Sequence, residues 1–332
     1  MSDVNEMVVL NDRLREIKEL YQLRHSDISY ITGYAANTVK KWFTDSDSKY
    51  FQPAPIQAIK LLENWVKDGA SLLSESSSTI VKKAEVWSFL NFKGGVGKTT
   101  LAFNIALMLS KTKKVLVIDC DPQGHLSSSL IVLTSNLKYT TSDLLLNKKG
   151  KPYAYDDNLH VIGTDSKLAN TQELLSASDL LFLLKENVEQ YMESYDYVVI
   201  DSLPSKGPLY DAVLAASNKV IVPFTADLYD SWGIQDVFQQ VKKLKLRKIN
   251  NNIKVAALVP NRVERPLRNF DQAVIEAVSK AFPNEMCPCY ISNSVRVKEC
   301  KSPAISKPVI DYAPNDKVSE EYKLVLDFII NS

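Results

Sequence analysis

Lys93-Gly-Gly-Val-Gly-Lys-Thr-Thr100 is the stretch on which the reading of this 332-residue chain turns. It follows an apolar run, Val86-Trp87-Ser88-Phe89-Leu90, and precedes a helix-period segment from Leu101 to Leu109. That order predicts a loop where a strand feeds a helix. Gly94, Gly95 and Gly97 let backbone amides close around an anion with no Cβ in the way, and the following helix adds the positive end of its dipole. Val96 and Thr100 complete the cradle. Lys98 supplies a point charge for the β- and γ-phosphates of a nucleotide, and Thr99 offers a hydroxyl to Mg²⁺.

Further along the chain, short β-branched runs alternate with helical stretches: Val86 to Leu90, Val115 to Ile118, Leu159 to Ile162, Tyr197 to Ile200, Val220 to Pro223, Val255 to Val259 and Cys289 to Ile291. Continuous apolar strands separated by helices predict an α/β fold with a doubly wound, mostly parallel sheet buried on both faces. Ligands of such sheets sit at the carboxyl ends of strands. Two runs deliver acids there. In Val115-Leu-Val-Ile-Asp-Cys-Asp121, alternation puts Asp119 and Asp121 on one face at the strand's exit, where two carboxylates can act on a metal and a water. The alternative is that Asp121 caps a helix begun by Pro122, but the phosphate loop one strand away favours catalysis. In Tyr195-Asp-Tyr-Val-Val-Ile-Asp201, the apolar residues carry Asp201 to the sheet edge beside Thr99, either to hold a Mg²⁺-bound water or to form a turn.

Lys93 gives the loop its character. A lysine directly before the double glycine, with Phe92 where the ordinary loop opens on glycine, resembles the deviant Walker A loop of the ParA/MinD group of P-loop ATPases. In that group the lysine reaches across a two-fold interface to the partner's nucleotide, so the resemblance implies that Lys93, Lys98 and Asp121 carry catalysis. It also implies ATP and Mg²⁺ as cofactors, with Asp121 orienting the attacking water and Thr99, Asp119 and Asp201 near the metal. The run from Val220 to Tyr229 with Trp232-Gly233 resembles the family's next strand and helix start. Asn261, Arg262 and Pro314 fall where the family encloses the base. Ile291-Ser-Asn-Ser-Val-Arg296-Val-Lys298-Glu-Cys-Lys301 resembles the partition ATPases' DNA-contacting stretch and nominates Arg296, Lys298 and Lys301 for DNA. The family has small residues and proline where this chain has Cys300 and Lys301, and these cations could also form only a solvated face.

Composition adds limits. The chain is 45% hydrophobic and 24% charged, with formal net charge +1. Nucleic-acid affinity therefore has to come from local patches. No apolar run approaches membrane-spanning length, and the polar start is unlike a secretory signal, so a cytoplasmic protein is expected, and the resemblance implies one associated with the nucleoid. Four cysteines without metal-type spacing read as reduced thiols, the Cys287-Pro-Cys289 pair as structural. Serine-rich sequence after Asp68-Gly69-Ala70 predicts a linker, dividing the chain into a small all-α domain (1–68), a linker (69–84) and the ATPase domain (85–332). Within the first, Ser26 to Phe43 has helix-turn-helix spacing: Ile28, Ile31, Val39 and Trp42 inward, Gly33 at the turn. Tyr34, Asn37, Thr38, Lys40 and Lys41 are left for DNA, though a helical hairpin without DNA function fits the same apolar spacing. Ile56 to Val66 is expected to be an amphipathic dimer or packing helix.

The two parts together resemble the longer plasmid-type ParA proteins. That resemblance implies an ATP-dependent homodimer that binds DNA non-specifically, a ParB-like centromere-binding partner that stimulates hydrolysis, and an N-terminal domain that represses its own operator. Three rivals remain at this level. A MinD-like membrane-cycling regulator needs a basic amphipathic C-terminal helix, whereas Glu320 to Ile330 is acidic and apolar. A nitrogenase-type reductase needs cluster-bridging cysteines. An ATP-binding transcriptional regulator with little hydrolysis would keep every motif.

Overall fold

A computed structural model describes residues 2–21, 23–44, 48–74, 83–131, 137–227 and 230–332. The chain forms two compact units, Met1–Ile80 with Leu246–Ile249, and Val81–Lys245 with Asn250–Ser332.

The first unit contains helices α1 (Ser2–Leu20), α2 (His25–Thr32), α3 (Ala36–Trp42) and α4 (Ile56–Ser74). Its core joins Leu14 and Ile17 of α1, Ile28 and Ile31 of α2, Val39 and Trp42 of α3, and Ala58, Ile59 and Leu62 of α4. Gly33 ends α2 in the left-handed region at φ 76°, and its N–H donates to Ser29 O. The Ser29 hydroxyl donates to Tyr34 O at 2.7 Å and fixes the turn into α3. Ala35, at the N-cap of α3, makes no side-chain cap, as its methyl dictates. Asn11 is the polar tie of this core. Its amide donates to Trp42 O at 3.0 Å and its carbonyl accepts from Ala54 N–H at 2.9 Å.

One boundary differs from the sequence expectation. The linker expected from residue 69 does not begin there, because α4 continues through Gly69 to Ser74. Gly69 is tolerated there because Ala70, Leu72 and Leu73 favour helix more than one glycine disfavours it. Residues 75–82 of that linker lie outside the described residues, as do Leu228 and Tyr229.

The second unit runs β1 (Glu85–Phe89), α5 (Lys98–Leu109), β2 (Val115–Cys120), α6 (His125–Leu130), α7 (Thr141–Leu145), β3 (Tyr153–Ala154), β4 (Leu159–Ile162), α8 (Leu168–Leu174), α9 (Ala177–Glu189), β5 (Tyr197–Ser202), α10 (Pro208–Ala216), β6 (Lys219–Phe224), α11 (Asp230–Leu246), β7 (Lys254–Pro260), α12 (Asn269–Ala281), α13 (Val295–Glu299), α14 (Val309–Tyr312) and α15 (Lys317–Asn331). The seven-stranded sheet has the order β3-β4-β2-β5-β1-β6-β7. Every pairing is parallel except β3 with β4. The expected doubly wound sheet is present. After β1 the chain winds toward β2 on one side and later returns to lay β6 and β7 on the other, so the carboxyl end of β1 is a crevice between opposite windings.

Burial follows the pattern that predicted it. Strands β2 and β6 are buried at every residue. Helix α5 is buried around its whole circumference from Leu101 to Leu109, as a helix enclosed in a core must be. Helix α15 sinks Val318, Tyr322, Val325 and Ile329 into the same core at helical spacing. The buried Lys219 ammonium donates to Ile329 O at 2.9 Å near the end of that helix.

Cys289 to Ile291 is not a strand. Isolated bridges pair Leu258 with Met286 and Val263 with Ser292, and the chain between them is irregular. Pro288 has no N–H to donate to a ladder, which accounts for the break. The sheet instead gains the two-residue β3, too short to carry a periodic signal.

Candidate nucleotide and metal site

A cleft of about 620 Å³ opens at the carboxyl ends of the strands. That volume suits a small ligand. Gly94, Gly95, Gly97, Lys98, Thr99 and Thr100 form its floor, and Asp121, Gln123, His125 and Pro204 form one side. Asn261, Arg262, Ser292 to Ser294, Val297, Lys298 and Lys301 complete it.

The loop is shaped by its glycines. Gly95 and Gly97 have φ of 80° and 95°, and a Cβ on Gly97 would lie 2.2 Å from Asn261 Nδ2. Only glycine permits that approach. Val96 is buried and anchors the loop from beneath. Two side chains grip it from above: Asn261 Nδ2 donates to Val96 O at 2.7 Å, and Arg262 Nη1 donates to Gly95 O at 2.6 Å. Sequence reasoning gave Asn261 and Arg262 to the base. In the structure both line the cleft but spend these hydrogen bonds on holding the cradle, with Arg262 at φ 58°. Pro314 is exposed and does not line the cleft.

Lys98 opens α5 and is buried, its ammonium donating to Lys93 O at 3.2 Å. Burial lowers its pKa, opposed by the charges of Asp201 and Asp121. Lys93 goes elsewhere. Its ammonium lies 2.7 Å from Asp227 Oδ2, just after β6, and Lys93 is absent from the lining of its own cleft. Asp227 had no assigned role in the sequence, because only the fold brings the exit of β6 to the loop.

The carboxylates behave differently from one another. Asp119 is fully buried and already satisfied: one oxygen accepts from Ser127 N–H at 2.8 Å and Ser127 Oγ at 2.6 Å, the other from Asp121 N–H at 3.1 Å. It does not line the cleft. Burial still pushes it up to about 6. Asp121 does line the cleft, and its Oδ1 accepts from Gln123 N–H at 2.9 Å. The expected helix at Pro122 starts instead at His125 behind Gly124, whose φ of 63° turns the chain first. Asp121 therefore closes a tight turn and caps no helix.

Asp201 is the penultimate residue of β5, with both oxygens buried and without a hydrogen-bond partner. Burial, then the neighbouring Asp119, holds its pKa well above the usual carboxylate range. The Thr99 hydroxyl lies close enough to pull the other way, yet it completes no hydrogen bond there. A buried carboxylate orphaned beside the first turn of α5 is the arrangement a divalent cation satisfies. Among the described residues no three His, Cys, Asp or Glu side chains gather into a self-sufficient metal cage. The donor set fits Mg²⁺, which keeps waters and takes substrate oxygens.

The proposed DNA-facing residues separate. Arg296 is 53% exposed at its side chain and paired with Glu299 at 3.1 Å, away from the cleft lining. Lys298 is exposed at the cleft's rim. Lys301 lies inside the cleft, half-buried, with its ammonium 3.2 Å from Thr100 Oγ1. It does not share the exposed surface of Arg296 because Cys300 is buried in the core and turns the chain inward. In the first unit Asn37, Lys40 and Lys41 are exposed, while Tyr34 and Thr38 are half-buried and Tyr34 packs on Trp42 at 5.1 Å.

Comparison with known proteins agrees with this geometry. The AAA domain family matches residues 84–255. The chain is 30% identical to the chromosome-partitioning ATPase Soj of Treponema pallidum over 233 residues, covering 68% of this chain and 88% of that protein. It is 29% identical to the sporulation initiation inhibitor protein Soj of Bacillus subtilis over 244 residues, 72% of this chain and 95% of that one. In fold it is similar to a plasmid partition protein of Borrelia burgdorferi bound to AMPPNP, with a TM-score of 0.65 and 24% identity over 75% of this chain and 99% of that one. With its phosphate loop, strand-end acids and sheet order in place, the chain belongs to the ParA/Soj family of chromosome and plasmid partition ATPases.

Proposed function

We propose that this partition ATPase cycles between a nucleotide-sandwich dimer that holds DNA without regard to sequence and a separated form that releases it. The chain hydrolyses ATP with Mg²⁺, and the cation supplies electrophilic stabilisation of the phosphate oxygens when bound. The protein's own residues do the rest. The amides of residues 94–99 and the dipole of α5 take the phosphates, Lys98 neutralises the outer ones, and Asp201 and Thr99 would hold Mg²⁺. Asp121, on the cleft wall, orients the attacking water. Asp119 positions Asp121 by accepting its backbone N–H.

The observation that carries the dimer reading is the divergence of the two lysines. Lys98 enters its own cleft, whereas Lys93 pairs with Asp227 at the rim. A second copy facing this rim would offer phosphates in exchange for that carboxylate. Dimerisation would bring the Arg296 and Lys298 surfaces of two copies together, and each neutralised DNA phosphate adds a salt-dependent increment, log affinity falling by about 0.9 per log unit of salt. A ParB-like partner that stimulates hydrolysis would end the bound state. The exposed Asn37, Lys40 and Lys41 on α3 suit an operator's edges and phosphates, which supports autoregulation by the first unit.

No helix among the described residues is long and apolar enough to cross a membrane. Helix α15 spends its apolar stripe on the core, which favours DNA over a membrane surface as the cycling partner. The test is non-specific DNA binding in ATP, in ADP and for Lys98→Ala, with mass in solution followed in parallel. ATP should double the mass and tighten DNA binding, and Lys93→Ala should abolish both while keeping ATP bound. Equal DNA affinity in all conditions would remove the proposal.

A further inference from the structure

Lys301 stands apart from Arg296 and Lys298 of the same stretch, which are exposed, because it is half-buried and lines the cleft. The chain on either side of it is held to α5. Asn104, one turn beyond Thr100 on α5, accepts from Val309 N–H at 2.7 Å, and its amide donates to Thr100 O at 2.9 Å. Cys300, buried beside it, directs its thiol toward the same Asn104 oxygen. The segment carrying Lys301 is thus tied to the first turn of the helix that floors the cleft.

The side chain is half-buried in that cleft, and its hydrogen bond to the Thr100 hydroxyl at 3.2 Å is to a neutral group. An ammonium has three donors and loses hydration when covered, so one neutral acceptor leaves it short of charge. Burial accordingly lowers its pKa, opposed by Cys300 and the charge of Asp201 and helped by that of Arg262. The first turn of α5, beside which it lies, is built to receive an anion. Lys98 approaches that turn from the Lys93 carbonyl, toward the β- and γ-phosphates. Lys301 approaches from the Thr100 side.

We propose that Lys301 is a nucleotide-binding residue that clasps the α/β end of the diphosphate common to ATP and ADP. This rests on the nucleotide reading of the cleft given above. Its consequence is a cleft that retains ADP as well as it binds ATP, so the separated form of the protein stays loaded with nucleotide. Arg296 and Lys298 remain for DNA, and Lys301 is withdrawn from that surface.

Equilibrium binding of fluorescent ADP and of a non-hydrolysable ATP analogue to the full chain tests this, using Lys301→Gln, Lys301→Arg and, in parallel, Lys98→Ala. Lys301→Gln should weaken both nucleotides by about tenfold, the scale of one charge-assisted hydrogen bond. That loss should shrink as salt rises, and Lys301→Arg should recover most of it. DNA affinity at saturating nucleotide should stay unchanged in Lys301→Gln. Unchanged nucleotide affinities, a loss confined to the ATP analogue, or a loss confined to DNA would each overturn the assignment. Should Lys301→Gln lower the nucleotide-free melting temperature, failure of Lys301→Arg to bind better than Lys301→Gln overturns it too. Retention of both nucleotides by Lys98→Ala would strike the nucleotide reading itself, whereas their loss there with none in Lys301→Gln strikes this inference alone.

Discussion

Asp119 and Asp201 stand opposite each other in register on the neighbouring strands β2 and β5, one carboxylate with its acceptors filled and the other with both oxygens empty. The asymmetry follows from what comes after each strand. Beyond Asp119 the chain turns back and brings Ser127 over it, whereas beyond Asp201 nothing donates. Asp201→Asn should therefore stabilise the metal-free protein, because an unpaired buried charge costs more than an unpaired amide, by roughly 1–3 kcal/mol. The same change should abolish Mg²⁺-dependent hydrolysis. Thermal melts without metal and a phosphate-release assay check the two halves.

The same pair sets a pH dependence. Both acids are raised above the unfolded range, Asp119 to about 6. Between an unfolded value near 4 and that value, the folded chain binds more protons than the unfolded one, so this contribution to stability is present at low pH and is lost as pH rises through the window. Comparing melting temperatures of wild type and Asp201→Asn from pH 4 to 7, without metal, should show a shallower decline in the variant. Parallel curves would reject the assignment.

Lys93 and Asp227 form a half-exposed ion pair, with side chains 36% and 47% exposed. Exposed pairs contribute about 0.2–1 kcal/mol, so breaking this one on the way to a dimer is a small cost. Asp227→Asn should shift the ATP concentration needed for dimerisation downward by no more than about fivefold, and analytical ultracentrifugation reads that shift.

Gly97→Ala should remove nucleotide binding. The methyl would meet Asn261 Nδ2 at 2.2 Å on a residue held at φ 95°. Left-handed strain and loss of the Asn261–Val96 bond together amount to about 3 kcal/mol, or roughly a hundredfold in affinity. Calorimetric titration with ADP measures it, and Asn261→Ala in the same chain should restore part of the loss.

In the first unit, Asn11→Ala removes a donor to Trp42 O and an acceptor for Ala54 N–H. Two buried backbone groups then lose partners, at about 2–4 kcal/mol in all. Hydrogen exchange across α3 should rise sharply while ATP hydrolysis by the second unit stays within about twofold.

The chain's sequence by itself determined its local elements, because those depend on periodicity and on residues that bond to near neighbours. Leu159–Ile162 was legible to the residue as β4, the stretch of residues 93–100 led from β1 into the first turn of α5, and Gly33 closed α2. The acids at the ends of β2 and β5 followed from strand alternation alone. Tertiary structure decided whatever rests on contacts distant in sequence. It turned Asn261 and Arg262 onto the loop's carbonyls across 165 and 167 residues, filled Asp119 with Ser127, joined Lys93 to Asp227 and drew Lys301 into the cleft. Lys301 makes the reason plain. Three cations near one helix read alike along a chain, and only the burial of Cys300 beside Asn104 turns the last of them from solvent into the cleft.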